Sequence, residues 1–200
     1  AFAATSDGSV DSTVEINDET ASLGLFNGDN FGTAVANIGD LDGDGVNDLV
    51  VGEYSDDAGG SDRGAVHIIF MNIDGTVKST KKICGDSSIC TNGAVSLNNK
   101  DNFGFSVANI GDLNGDGVND LAVGAPLDDM KADGTNVAST TVNRGAVHII
   151  FMNDDGTVDS TAEINDFTTD GPVLANYDHF GQSVANIGDL NGDGVNDLAV

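Results

Sequence analysis

Three stretches of nearly identical sequence limit what this chain can fold into more than any other feature. They read Phe31-Gly-Thr-Ala-Val-Ala-Asn-Ile-Gly-Asp40, Phe103-Gly-Phe-Ser-Val-Ala-Asn-Ile-Gly-Asp112 and Phe180-Gly-Gln-Ser-Val-Ala-Asn-Ile-Gly-Asp189, and their phenylalanines lie 72 and 77 residues apart. A second block, Arg63-Gly-Ala-Val-His-Ile-Ile-Phe-Met-Asn72, returns at 144–153. Asp-Gly-Thr-Val at Asp74 returns at Asp155, with the variant Asp7-Gly8-Ser9-Val10 upstream. Similarity this high at a nearly constant spacing means stacked copies of one supersecondary unit, each burying its apolar surface against its neighbours.

The second copy defines the unit. Segments 105–110, 121–124, 146–152 and 157–164 are rich in β-branched and aromatic residues, and turn residues separate them. Within the third segment Val147, Ile149 and Phe151 alternate with Ala146, His148, Ile150 and Met152. Both faces are therefore largely apolar, as in a strand covered on two sides. No window sustains a helical period. The expectation is an all-β fold of β-propeller-type repeats, each a four-stranded antiparallel blade, with incomplete blades at both chain ends.

Residues 1–20 parallel the late strands of a repeat and read as a half-blade. Residues 26–100 and 101–170 read as two whole repeats, and 176–200 as the first half of a third. Together they form one continuous repeat domain. Closed propellers typically have 4 to 8 blades, so the domain is expected to belong to a larger array or assembly. The choice lies between further repeats of the same chain, after a removed leader or within a longer protein, and self-association. In the latter, the N-terminal strands complete the last blade of a neighbouring molecule, giving a head-to-tail filament. The insertion at 127–143 is expected to be a surface loop.

Between the first and second strands every copy carries a nine-residue loop: Asp40-Leu-Asp-Gly-Asp-Gly-Val-Asn-Asp48, Asp112-Leu-Asn-Gly-Asp-Gly-Val-Asn-Asp120 and Asp189-Leu-Asn-Gly-Asp-Gly-Val-Asn-Asp197. Oxygen-bearing side chains fall at positions 1, 3, 5 and 9: Asp40, Asp42, Asp44 and Asp48; Asp112, Asn114, Asp116 and Asp120; Asp189, Asn191, Asp193 and Asp197. The carbonyls of Val46, Val118 and Val195 can add a further oxygen. A hard cation such as calcium takes about 6 to 8 oxygen ligands. Like charges about 4 Å apart cost on the order of 4 kcal/mol at an effective dielectric of 20, so an empty loop would repel itself. An EF-hand does not fit, because position 12 is Val51 or Val123 where a bidentate Glu is needed. The loops lack the Cys and His that zinc prefers, and magnesium suits such all-protein cages less well. The expected cofactor is Ca2+, about one per loop.

The formal charge of −26 argues in the same direction. It repels nucleic acid and anionic bilayers alike. No apolar stretch approaches the ~20 residues of a membrane span, so neither a nucleic-acid partner nor membrane insertion is expected. Cys84 and Cys90 share one Gly/Ser-rich loop and can form a local disulfide or remain thiols, and the pair favours an oxidising compartment.

With Phe103-Gly104, the loop at 112–120 and then Gly124-Ala125-Pro126, the sequence resembles the FG-GAP repeats of the integrin α-subunit N-terminal propeller. The resemblance covers nearly the whole chain. It implies an extracellular, secreted or cell-surface protein, calcium held by the side chains named above, and a structural or adhesive role with a protein or glycan ligand. Gly52-Glu53-Tyr54 departs from the Gly-Ala-Pro element, and the near-identity of the copies is unlike the diverged repeats of integrins.

No catalytic constellation appears. There is no Gly-x-Ser-x-Gly, no His-Glu-x-x-His and no phosphate-binding loop. His67 and His148 hold equivalent strand positions and read as packed structural residues. His179 stands where Asn30 and Asn102 precede the other Phe-Gly pairs, as a loop variant. The chain is not expected to be an enzyme.

Overall fold

The structure, a computed structural model, describes residues 2–4, 7, 9–90, 92, 95–129 and 142–200. Strands β1 (Phe2–Ala4) and β2 (Val10–Thr13) form a two-stranded ribbon, followed by a single helical turn, α1 (Asp18–Ala21). Strands β3 (Phe31–Gly39), β4 (Asp48–Glu53), β5 (Ala65–Met71) and β6 (Val77–Cys84) pair in sequence order as one antiparallel sheet. A second sheet repeats the order with β7 (Ser106–Gly111), β8 (Asp120–Ala125), β9 (Ala146–Met152) and β10 (Val158–Ile164). The last pair is β11 (Ala185–Gly188) with β12 (Asp197–Ala199).

The fold is all-β, with two four-stranded antiparallel blades of the propeller type and a two-stranded ribbon toward either end. The four segments expected in the second copy match β7 to β10 to within one residue at each end. The helical turn was not expected. Asn17 accepts from the Thr20 amide at 3.0 Å, and the Thr20 hydroxyl accepts from the Asn17 amide at 3.0 Å. This capping box orders one turn, too short for any periodicity to register. Most of the insertion expected at the surface, 130–141, lies outside the described residues.

Every residue of β5 is buried, whereas the fourth strand β6 is mostly half-buried and β10 mostly exposed. The sheets stack face to face. Ile38, Val50, Val66, Ile68 and Phe70 of the first meet Phe103, Val107, Leu121, Val123 and Ile150 of the second. On the opposite face of the second sheet, Ala108, Ile110, Val147 and Ile149 pack with Val184 and Leu198. Alternation along each strand thus sends one set of side chains to the preceding sheet and the other to the following one.

The repeated Phe-Gly pair sets how closely the sheets approach. Phe103 N donates to Arg63 O at 3.0 Å, and Gly104 N donates to Gly124 O at 3.1 Å. A Cβ on Gly104 would stand 2.2 Å from Ala65 O, one on Gly64 2.0 Å from Phe103 O, and one on Gly52 1.9 Å from Gly104 O. Glycines from three separate sequence blocks therefore meet in one backbone-on-backbone contact. It recurs at Phe180-Gly181 against Gly124, Gly145 and Ala146.

Cys84 and Cys90, left open between thiols and disulfide, are bonded to each other and buried, closing the loop that follows β6. Among the described residues no helix is long and apolar enough to cross a membrane.

Candidate metal centres in the aspartate-rich loops

Each loop opens where its strand ends in a bulge. In Asn-Ile-Gly-Asp the side chains of Asn37, Asn109 and Asn186 accept from the amides of Gly39, Gly111 and Gly188 at 2.7, 2.8 and 2.8 Å. The register shifts there in all three copies. The chain then wraps around its first aspartate. Asp40 accepts from the amides of Asp44 and Gly45, Asp112 from Gly115, Asp116 and Gly117, and Asp189 from Gly192, Asp193 and Gly194, at 2.6 to 3.1 Å. The fifth-position carboxylates of Asp44, Asp116 and Asp193 accept from the amides of Val46, Val118 and Val195. The amides that Asp189 accepts hold its carboxyl below the usual carboxylate range, the Gly194 amide foremost.

This wrap brings Asp40, Asp42 and Asp44 together, each offering an oxygen within 4.8 Å of the others. An ammonium pairs with two of them: Lys78 Nζ is 2.7 Å from Asp42 Oδ2 and 2.5 Å from Asp44 Oδ2. Lys78 is held well above its usual range by these two carboxylates, and Asp44 below its own chiefly by Lys78. In the second loop no lysine stands at the counterpart of Lys78, which is Asp159. There Asn114 donates to Asp116 at 2.8 Å, and Asn191 to Asp193 in the third loop at 3.0 Å. The donor set is all oxygen, which suits a hard cation.

The ninth-position residues stand apart from this group. Asp48 is buried at the loop base, accepting from the amides of Leu41 at 2.9 Å and Met71 at 3.0 Å. Asp120 does the same with Leu113 at 2.8 Å and Met152 at 3.1 Å, and Asp197 accepts from Leu190 at 2.7 Å. Burial pushes the Asp48 and Asp120 carboxyls up, and the same amides pull them back. These aspartates tie each loop to its own sheet. Neighbouring loops are joined too: the Asn119 side chain donates to Ile38 O at 2.9 Å and Asn196 to Ile110 O at 3.0 Å. The first two loops consequently border one cleft lined by Asp40, Asp42, Asp116 and Asp154.

Away from the loops, each blade buries a polar cluster that sequence reading had reduced to packed histidines. His67 Nε2 is 2.7 Å from Glu53 Oε2, and Lys82 Nζ is 2.9 Å from the same oxygen while also pairing with Asp56. The second blade has Ala125 in place of Glu53 and Glu163 in place of Lys82. Its His148 lies 3.3 Å from Asp128, and Asp101 is 3% exposed. Burial first, then the Asp128 charge, pushes the Asp101 carboxyl up to about 9. The signal available in the sequence was the Lys82-to-Glu163 change between otherwise matching strands.

A pH dependence follows. Below the ordinary carboxyl value, near 4, Asp101 is protonated both folded and unfolded. Between about 4 and 9 the folded chain keeps this proton while the unfolded chain loses it, so stability falls as pH rises through that window. Asp101→Asn keeps an acceptor for the Asn98 amide and removes the titration. Urea unfolding is expected to show the variant more stable by ~1–3 kcal/mol at pH 8 and nearly equal at pH 4. The same difference at both pH values would overturn this reading.

A family model described as "FG-GAP repeat" matches residues 31–69 and 103–150. Integrin alpha-PS5 of Drosophila melanogaster is 34% identical over 174 residues, covering 86% of this chain and 15% of that protein. Integrin alpha-11 of Homo sapiens is 33% identical over 179 residues, covering 86% and 12%. Human integrin alpha-6 is 38% identical over 136 residues, covering 60% and 11%. The chain thus spans between 11% and 15% of the length of these relatives.

Proposed function

Because the chain belongs to the FG-GAP repeat family, we propose that it is an extracellular, calcium-binding β-propeller-type repeat protein with a structural or adhesive role and no catalytic one. The observation that carries this reading is the convergence of Asp40, Asp42 and Asp44 in an all-oxygen loop, two of them paired with a single ammonium. The same loop sequence occurs three times. In each, the side chains at positions 1, 3, 5 and 9 and the carbonyl at position 7 would hold about one Ca2+. The ion would supply the charge that Lys78 supplies in part to the first loop. The likeness to integrin alpha chains supports an adhesion-type role outside the cell, with a protein or glycan ligand. The repeat units in this reading are 26–100 and 101–170, flanked by half-units at 1–20 and 176–200.

Isothermal titration is expected to find three calcium sites in the chain and one fewer in Asp116→Ala, with all three retained in Asp101→Asn. Full stoichiometry in Asp116→Ala would overturn the assignment.

A further inference from the structure

The buried clusters of the two blades share a frame and differ in charge. His67 stands opposite Lys82 in the β5–β6 register, and His148 stands opposite Glu163 in the β9–β10 register. A phenylalanine lies nearly perpendicular to each imidazole, Phe31 at 5.4 Å and 84° and Phe103 at 5.4 Å and 82°. The two rings are therefore held alike. Asp29 and Asp101 stand two residues before those phenylalanines, and Asp56 and Asp128 three residues after the second strand of each sheet. All four aspartates are buried.

In the first blade this place holds a cation. The Lys82 ammonium pairs with Glu53 and Asp56, and His67 Nε2 lies 2.7 Å from Glu53 Oε2. Two substitutions convert the second blade, Lys82 giving way to Glu163 and Glu53 to Ala125. Each cluster then has three carboxylates, those of Asp29, Glu53 and Asp56 or of Asp101, Asp128 and Glu163. The first has a lysine to balance them, and the second has none at that position. Carboxylates taken out of water are costly unless a cation or a proton compensates them.

The second cluster is arranged for a compact cation of higher charge. Asp128, His148 and Glu163 each offer a donor atom within 4.8 Å of the others. With Ala125 in place of Glu53, His148 Nε2 faces Asp128 Oδ2 at 3.3 Å. That is long for a hydrogen bond to a carboxylate, but it matches the edge of a zinc tetrahedron, in which bonds of about 2.0–2.2 Å set neighbouring donors about 3.3–3.6 Å apart. One imidazole nitrogen and two carboxylates are ligands that zinc takes, with a fourth position left for water. The nitrogen also separates this cluster from the all-oxygen loops, whose donors suit a hard cation.

We infer that Asp128, His148 and Glu163 bind a divalent first-row metal ion, zinc fitting best, at the place where the first blade holds the Lys82 ammonium. The site is independent of calcium in the loops, and separate titrations with the two metals distinguish their failures. The pH dependence given above for Asp101 is that of the zinc-free chain.

Zinc titration of the 200-residue chain in millimolar calcium, read by competition with a chromophoric chelator, tests the inference. One zinc per chain is expected. Glu163→Lys rebuilds the ammonium of the first blade and should weaken zinc binding at least about 100-fold, beyond what loss of a group that only supports a ligand costs. Its circular dichroism should match that of the parent, since the first blade folds with lysine at this position. Should it fail to fold, Glu163→Gln, which keeps the shape of the side chain, should show the same loss of zinc. His179→Gln alters a histidine that is not one of the three and should bind zinc as the parent does. Cobalt should give the visible absorption of a four-coordinate ion in the parent and not in Glu163→Lys. Zinc held equally by the parent and the Glu163 variants, or lost with His179, overturns the inference by placing the ion elsewhere. A parent chain that takes up no zinc overturns it too, and means that protons on the cluster's own groups balance its charge.

Discussion

Removing calcium with excess EDTA is expected to lower the melting temperature of the chain by about 15–30 °C. An ion that binds only the folded loop stabilises by about 2.7 kcal/mol when its free concentration is a hundred times its dissociation constant, so three loops supply about 8 kcal/mol. For a chain of this length each kcal/mol moves the melt by about 2–4 °C. Little else in the sequence offsets the charge of the loops. Seven basic residues face 33 acidic ones, and among the described residues only the first loop has a lysine paired with its carboxylates. Magnesium, which demands near-octahedral geometry and sheds water reluctantly, should restore a small part of the loss. Melts followed by circular dichroism in millimolar calcium and in EDTA decide it. Coincident curves would mean that the hydrogen bonds within each loop suffice without an ion.

The loops were legible in the sequence because their chemistry is local. Positions 1, 3 and 5 lie within a few residues of one another, and glycine spacing alone indicates a wrap. The ninth position was less so. Asp48 and Asp120 read as ligands in the sequence, and their carboxylates also accept the amides of Met71 and Met152. Those donors sit on a strand more than twenty residues away, and no spacing rule points to them. Position 8 carried no local meaning at all, since the acceptors of Asn119 and Asn196 belong to the preceding copy.

The blades were legible for a different reason. Alternation with both faces apolar, as in β5 and β9, requires cover on two sides, and repetition supplies that cover from the chain's own copies. The buried clusters escaped notice because they depend on which side chains the stacking places together. Glu53, His67 and Lys82 come from three strands, and the Lys82-to-Glu163 change is conspicuous only once those strands are side by side. α1 escaped because a capping box of two side chains orders a single turn without any apolar period.

Gly104→Ala is expected to cost at least about 4 kcal/mol, among the largest effects a single methyl group can produce. Two penalties combine. The residue sits at φ +88, where a side chain costs about 1–2 kcal/mol in the left-handed region. The new Cβ would also lie 2.2 Å from Ala65 O and 3.3 Å from Glu53 N. Both are backbone atoms of the first sheet, so no rotamer change relieves the contact, and the two blades must separate. Separation would weaken the bonds from Phe103 N to Arg63 O and from Gly104 N to Gly124 O and would open the core that Phe103 fills. Gly24→Ala isolates the first penalty. Its φ is +70 with nothing within 4 Å, so it should lose only about 1–2 kcal/mol. Urea midpoints of the two variants measure the difference, and a Gly104→Ala chain that stays unfolded where Gly24→Ala is folded gives the same answer. Equal losses would mean that the repeated Phe-Gly is retained for its backbone angle alone, and that the blades are not held at backbone contact through it.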